Sequence, residues 1–189
     1  MGAGAAHIST AGGWAMNAKR GTKQDWATPP HIVEAVAVDR FGGRPFDLDV
    51  AASASNAKAP AYYDLAGNGM ASTWAAPQVW CNPPYENQGE WMARAVWHAR
   101  EYGISVALLV LASTSALYWR PCAWEAGTVD FYEGRIAFLD EHGKQQSGFD
   151  RASALVLVGP QFRPGVVRVR DADTGRLIVD DRRQPCLLT

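Results

Sequence analysis

Gln78-Val79-Trp80-Cys81-Asn82-Pro83-Pro84-Tyr85 joins a four-residue apolar run to an amide, two ring-locked residues and an aromatic. The run reads as a short strand, and the Asn-Pro-Pro step ends it. Two carbonyl oxygens at such a strand end, the Asn82 side chain and the Pro83 main chain, can hold both N–H groups of a planar amine. Fixed acceptor dipoles strengthen as that nitrogen becomes cationic during alkylation. Proline at 83 and 84 restricts φ and the residue before each ring, so the acceptors stay in place, and Tyr85 is suited to stack on a flat partner. The plainer alternative is a Pro-Pro turn with Tyr85 packed beneath it, and the four residues alone leave both open.

Working outward, Gln88 to Tyr102 carries Trp91, Ala95, Ala99 and Tyr102 at helical spacing, with Gly103 as a stop. His98 falls on this helix and reads as a packed or exposed helix residue. Ile104 to Ala112, Thr128 to Tyr132 and Ala154 to Val158 are apolar runs of strand length. Upstream, Thr28 reads as an N-cap with Pro29 at the first helical position, opening a helix to about Arg40. Phe46 to Val50 alternates as a short strand ending in Ala51-Ala52-Ser53. Tyr62-Tyr63-Asp64 is a candidate strand and Gly67-Asn68-Gly69 a turn. Strands alternating with helices predict an α/β domain with a mostly parallel sheet, whose ligand crevice lies at the strands' C-terminal ends. The spacing between the strand at 46–50 and that at 78–81 is too short for two full strand-helix units, so this half of the sheet is expected to be abbreviated.

The chain has 189 residues, 48% of them hydrophobic, and a formal net charge of −1. One domain fits that length. The charge excludes a generally basic nucleic-acid binder, so phosphate contacts must come from local clusters. Residues 1–23 are Gly- and Ala-rich and read as a flexible tail, residues 24–165 as the main domain and 166–189 as a C-terminal hairpin and tail. Lys19, Arg20 and Lys23 make the end of the first tail basic, which suits either a solvated linker or a phosphate-binding arm. In the hairpin around Asp173-Thr174-Gly175, Val167, Val169, Leu177 and Val179 would face the protein. Arg168 and Arg170 would share the outer face as candidate phosphate contacts. Trp119 and Arg120 are candidates of the same kind. The three cysteines show no metal-ligand spacing, and no metal is expected. Without a membrane span or signal segment, a cytoplasmic location is expected.

Asp25-Trp26-Ala27-Thr28-Pro29-Pro30, Asp47-Leu48-Asp49-Val50-Ala51-Ala52-Ser53, Asn56-Ala57-Lys58 and Val79 to Tyr85 follow one another in this order. With them the chain resembles the bacteriophage DNA N6-adenine methyltransferases. The resemblance implies a Rossmann-like methyltransferase fold, S-adenosylmethionine as cofactor, and a phage or prophage enzyme that methylates adenine in DNA. The base must then leave the duplex to reach the acceptors. Asn82, Pro83, Pro84 and Tyr85 match the catalytic motif. Trp26, Thr28 and Pro29 match the segment bordering the methionine end of the cofactor. Asp49 matches the acidic residue at the end of the first strand, with Asp47 a second candidate and Ala51 in the following turn. Asn68 stands where relatives often have Asp, and Asp64 is the choice for the ribose hydroxyls. Ala51-Ala52-Ser53 replaces the usual Gly-x-Gly. Two alternatives remain open: a related methyltransferase acting on a protein glutamine or an RNA amine, and a nucleic-acid-binding module with a degenerate cofactor pocket. The oligomeric state and the DNA word are not legible.

Overall fold

The structure is a computed structural model that describes residues 6–7, 26–140, 142–146 and 151–179. In chain order the elements are β1 (Ala6–His7), α1 (Pro30–Phe41), β2 (Leu48–Asp49), β3 (Ala61–Tyr62) and β4 (Gln78–Cys81). There follow α2 (Gln88–Tyr102), β5 (Ser105–Leu111), β6 (Gly127–Glu133), β7 (Ser153–Val158), β8 (Val167–Asp171) and β9 (Leu177–Val179). They build one mixed α/β sheet in the order β1-β3-β2-β4-β5-β7-β6-β8-β9. Pairing is parallel from β1 through β5. β7 then inserts antiparallel between β5 and β6. Ala6–His7 lies inside the stretch read as a tail, yet it pairs along β3, whose open edge offers unpaired backbone groups. The remainder of that stretch, with Lys19, Arg20 and Lys23, lies outside the described residues.

The central strands are buried on both faces, which is why they read as unbroken apolar runs. Val79, Val106, Leu108, Val110, Val156 and Val129 pack against Trp91, Met92 and Ala95 of α2. Their neighbours Trp80, Ala107, Leu109, Leu155 and Leu157 pack against Ile32, Val33 and Val36 of α1. Period-two alternation thus sends each strand's side chains to one helix or the other. Among the described residues no helix is long and apolar enough to cross a membrane.

Two local expectations shift. Pro29, not Thr28, holds the cap of α1, with ψ 138° and no side-chain cap bond, because a residue preceding proline is driven out of the helical region. Thr28 is left outside the helix with its hydroxyl buried. The strand near 62–64 is Ala61–Tyr62. The abbreviated half is as short as the spacing required: between β2 and β4 only a two-residue strand and turns intervene.

The hairpin β8–β9 forms with Leu177 half-buried beside Arg170 and Ile178 exposed, but the faces of β8 are reversed. Register places Arg168 and Arg170 beside Asp130 and Tyr132 of β6, on the face that α1 covers. Arg170 is fully buried: its guanidinium donates to Asp130 at 2.7 Å, to Asp39 at 2.9 Å and to the Gly175 carbonyl at 2.7 Å. Arg40 of α1 donates to the same Asp130 carboxylate at 3.1 Å. The alternation was legible; which face would meet a helix was set by α1, whose last turn brings Asp39 and Arg40. Arg170 therefore ties the hairpin to the helix and has no surface for a phosphate, while Val167 stands exposed.

Candidate active site

β2 and β4 run side by side in register, Leu48 beside Val79 and Asp49 beside Trp80. Both chains leave the sheet at the same end, and a cavity of about 570 Å³ opens there. Val50 to Ser53 line it after β2, Asp64, Asn68 and Gly69 after β3, and Asn82 and Pro84 after β4. Trp91 of α2 closes one side, Ala27 and Pro30 another. Leu139, Asp140 and Gly143 arrive from the loop after β6, held there by an antiparallel bridge in which Ala27 and Leu139 exchange backbone hydrogen bonds of 2.8 and 2.9 Å.

Asn82 is half-buried. Its Nδ2 donates to the Trp26 carbonyl at 3.3 Å, which orients the amide and leaves Oδ1 as the free end. That oxygen is buried with no hydrogen-bond partner, and such an acceptor costs about 1–3 kcal/mol unless a ligand satisfies it. Thr28 Oγ1 is orphaned in the same way; Thr28, Asp49, Lys58 and Asn82 share a small recess beside the main cavity. Pro83 is buried and Pro84 exposed at the rim. Tyr85 opens the 3₁₀ turn Tyr85–Asn87 that leads into α2; burial pushes its phenol well above the ordinary value.

Asp49 is 3% exposed. Its carboxylate accepts the backbone N–H of Ala51 at 3.2 Å and of Lys58 at 3.0 Å, so one side chain gathers the loop that stands where a glycine-rich turn is absent. Burial raises its pKa to about 6 against the opposing pull of those two bonds and of Lys58. The turn after β3 closes over β2: a Cβ on Gly69 would lie 2.0 Å from the Val50 carbonyl oxygen, so only glycine fits. Asn68 beside it adopts φ 43°. Asp64 Oδ1 accepts the Gly67 N–H at 2.7 Å.

Of the residues singled out in the sequence, Ala51, Asp64, Asn68, Asn82 and Pro84 meet at the cavity, and Thr28 and Asp49 at its recess. Asp47 does not. It sits at the other end of β2, where its carboxylate accepts the Gln78 N–H at 3.0 Å and fixes the start of β4. Trp26 contributes its carbonyl to Asn82, and Pro29 is the buried helix cap. Trp119 is fully buried, stacked with Phe131 at 6.3 Å, so it belongs to the core and not to a DNA-facing surface. Arg120 is exposed in a loose pair with Glu125 at 3.4 Å, and Arg168 is half-buried near Arg40. His98 is buried and stacked on Trp74 at 4.6 Å. Sequence reasoning missed Lys58, Trp91 and the 139–143 loop. Lys58 stood in a quoted motif without a role, Trp91 carried the period of a core position, and nothing local marks the loop.

The fold and site define a mixed α/β domain with a polar-rimmed cavity at the C-terminal ends of its parallel strands. A profile of the DNA N-6-adenine-methyltransferase (Dam) family matches residues 15–174, and the chain belongs to that family. It is similar to the DNA N-6-adenine-methyltransferase of Haemophilus phage HP1 (strain HP1c1), 26% identical over 154 residues that cover 80% of this chain and 88% of that protein. It is also similar to the DNA N-6-adenine-methyltransferase of Escherichia phage T1, 25% identical over 150 residues, 70% of this chain and 61% of that longer protein.

Proposed function

We propose that this chain methylates the N6 amine of adenine in DNA, with S-adenosylmethionine as donor, on an abbreviated Rossmann-like methyltransferase fold. The observation that carries the reading is the orphaned Asn82 Oδ1 at the wall of the cavity. A neutral acceptor without a protein partner, followed by two prolines, suits an amine that must be held by its N–H groups while it becomes cationic. The cavity has the volume of a cofactor site, within the roughly 300–1,000 Å³ usual for such pockets. Its polar lining fits the donor: Asp64 and Asn68 would hold the adenosine end, Thr28 and Asp49 the methionine end. When bound, S-adenosylmethionine supplies a methyl group on a sulfonium.

Asn82 Oδ1 accepts one N–H of the incoming amine and the Pro83 carbonyl the other. A carboxamide is no base, so Asn82 orients the amine and strengthens its hold as charge develops without taking the proton. Tyr85 stacks on the extruded base, which costs a few kcal/mol to unstack. Arg120, which is exposed, and the basic residues Lys19, Arg20 and Lys23 are the candidates for phosphate contact. The phage relatives support expression in a bacterial cytoplasm.

The test offers methyl-labelled donor to duplex DNA, RNA and protein in parallel and hydrolyses the DNA for mass spectrometry. N6-methyladenine from DNA is the expected product; label confined to RNA or protein would overturn the reading.

A further inference from the structure

The charged side chains lining the main cavity, among the described residues, are Lys58, Asp64 and Asp140. Both acids are already engaged. Asp64 accepts the Gly67 N–H, and Asp140 accepts the N–H groups of His142 and Lys144 at 2.9 Å and the Gln146 amide at 2.6 Å. Lys58 is different. It lines both the cavity and the recess and is half-buried, and it is the cation of the set. Its backbone N–H, not its amine, binds Asp49. The Asp49 carboxylate accepts two backbone donors, and its charge acts on the Lys58 amine through space.

S-adenosylmethionine carries two positive centres, sulfonium and ammonium, and one negative centre, the carboxylate. The acidic lining matches the two cations. The carboxylate is attracted to a cation and repelled by Asp64 and Asp140, and Lys58 is the cation that the cavity lining offers among the described residues. We propose that Lys58 binds the carboxylate at the amino-acid end of the methyl donor, beside Asp49 and Thr28. This assignment rests on the donor reading above and adds to it the residue that distinguishes an amino-acid-bearing nucleoside from a plain one. The purely structural alternative is a lysine whose aliphatic stem covers the cavity wall while its amine stays in water.

Calorimetry with two ligands separates these, using S-adenosylhomocysteine and its carboxyl methyl ester, each with the full-length protein and with Lys58→Met. The unaltered protein should bind the acid roughly 10- to 100-fold more tightly than the ester, the scale of a charge-assisted hydrogen bond. Lys58→Met should lose that discrimination, with the acid falling to the level of the ester and the ester unchanged. Lys58→Arg, which keeps the cation, should retain most of it. Because Met preserves the backbone N–H to Asp49, the fold is expected to persist, and the acid-against-ester comparison in the unaltered protein stands without any variant. Equal binding of acid and ester by the unaltered protein would overturn the role of Lys58 while leaving the donor reading intact. So would equal losses for both ligands in Lys58→Met. Binding of neither ligand by the unaltered protein would overturn both.

Discussion

The two halves of the sheet on either side of β4 are built by opposite means. From β5 to β8 the strands are five to seven residues long. Every residue of β5 and β7 is buried, and the hairpin is pinned to α1 through Arg170, Asp130, Asp39 and Arg40. From β2 to β3 the strands have two residues each, and the loops are held by single polar anchors such as Asp49. The cavity belongs to the thin half. Long strands leave their backbone groups paired and their side chains packed, so they give stability and no opening; short strands release chain early, and the released chain forms the walls.

The contrast predicts that stability and activity can be damaged separately. The largest effect is expected for Asp130→Asn, which removes the carboxylate shared by two buried guanidiniums and leaves Arg170 paired with Asp39. Breaking a buried pair in this way costs about 3–5 kcal/mol. Urea unfolding should show it, while the fraction that remains folded should turn over normally; a loss below about 1 kcal/mol would mean that the ion cluster is not what holds the hairpin.

Asn82→Ala should do the reverse. Turnover should fall on the order of 100-fold or more, the scale of losing one preorganised group at the reacting centre. The unfolding midpoint should barely move, because relief of the unsatisfied Oδ1 offsets loss of the Nδ2 bond to the Trp26 carbonyl. Near-full turnover on DNA would refute the acceptor role.

Asp49 links the thin half to pH. In the unfolded chain its carboxyl ionises near 3.8, and in the folded protein at about 6, so between these values folding takes up a proton and stability falls as pH rises. Above about 6 the full cost of a buried charge is present, on the order of 3 kcal/mol. The stability gap between the protein and Asp49→Asn should therefore shift in favour of the variant from pH 4 to pH 7. A gap that stays constant would show that the carboxyl titrates normally. The smallest effect is that of Tyr85→Ala, which should weaken capture of the flipped base by about 1–3 kcal/mol, with Tyr85→Phe close to the original. A fluorescent adenine analogue at the target position reports it; emission indistinguishable among the three proteins would remove stacking from the mechanism.

Much of the fold was legible because its signals are local. The α2 boundaries follow from helical spacing and Gly103, and the abbreviated half from a simple shortage of residues. The expectation at Thr28 failed by one position because Pro30, not Thr28, governs where a helix can begin. Arg168 and Arg170 were assigned to the wrong face because period-two alternation says that two sets of side chains diverge and is silent on which set meets a helix. Trp119 illustrates the same limit, since an aromatic after a central strand is exposed or buried according to what packs over it.

The candidate site divides similarly. Asn82, Pro84, Asp64 and Asn68 could be picked from strand ends and turns, since open sheets leave their crevices there. Lys58 could not be given a role, because a lysine after a turn looks the same whether it faces solvent or the wall of a cavity. The sequence by itself determined the elements, their spacing and the rigid acceptor after β4, all set by sterics and periodicity within a few residues. Only the tertiary structure decided that α1 buries Arg170 and that Leu139 is drawn to Ala27 to close the cavity. It also leaves Lys58 as the cation that shares a recess with Asp49, since contacts between segments distant in the chain depend on how whole elements pack.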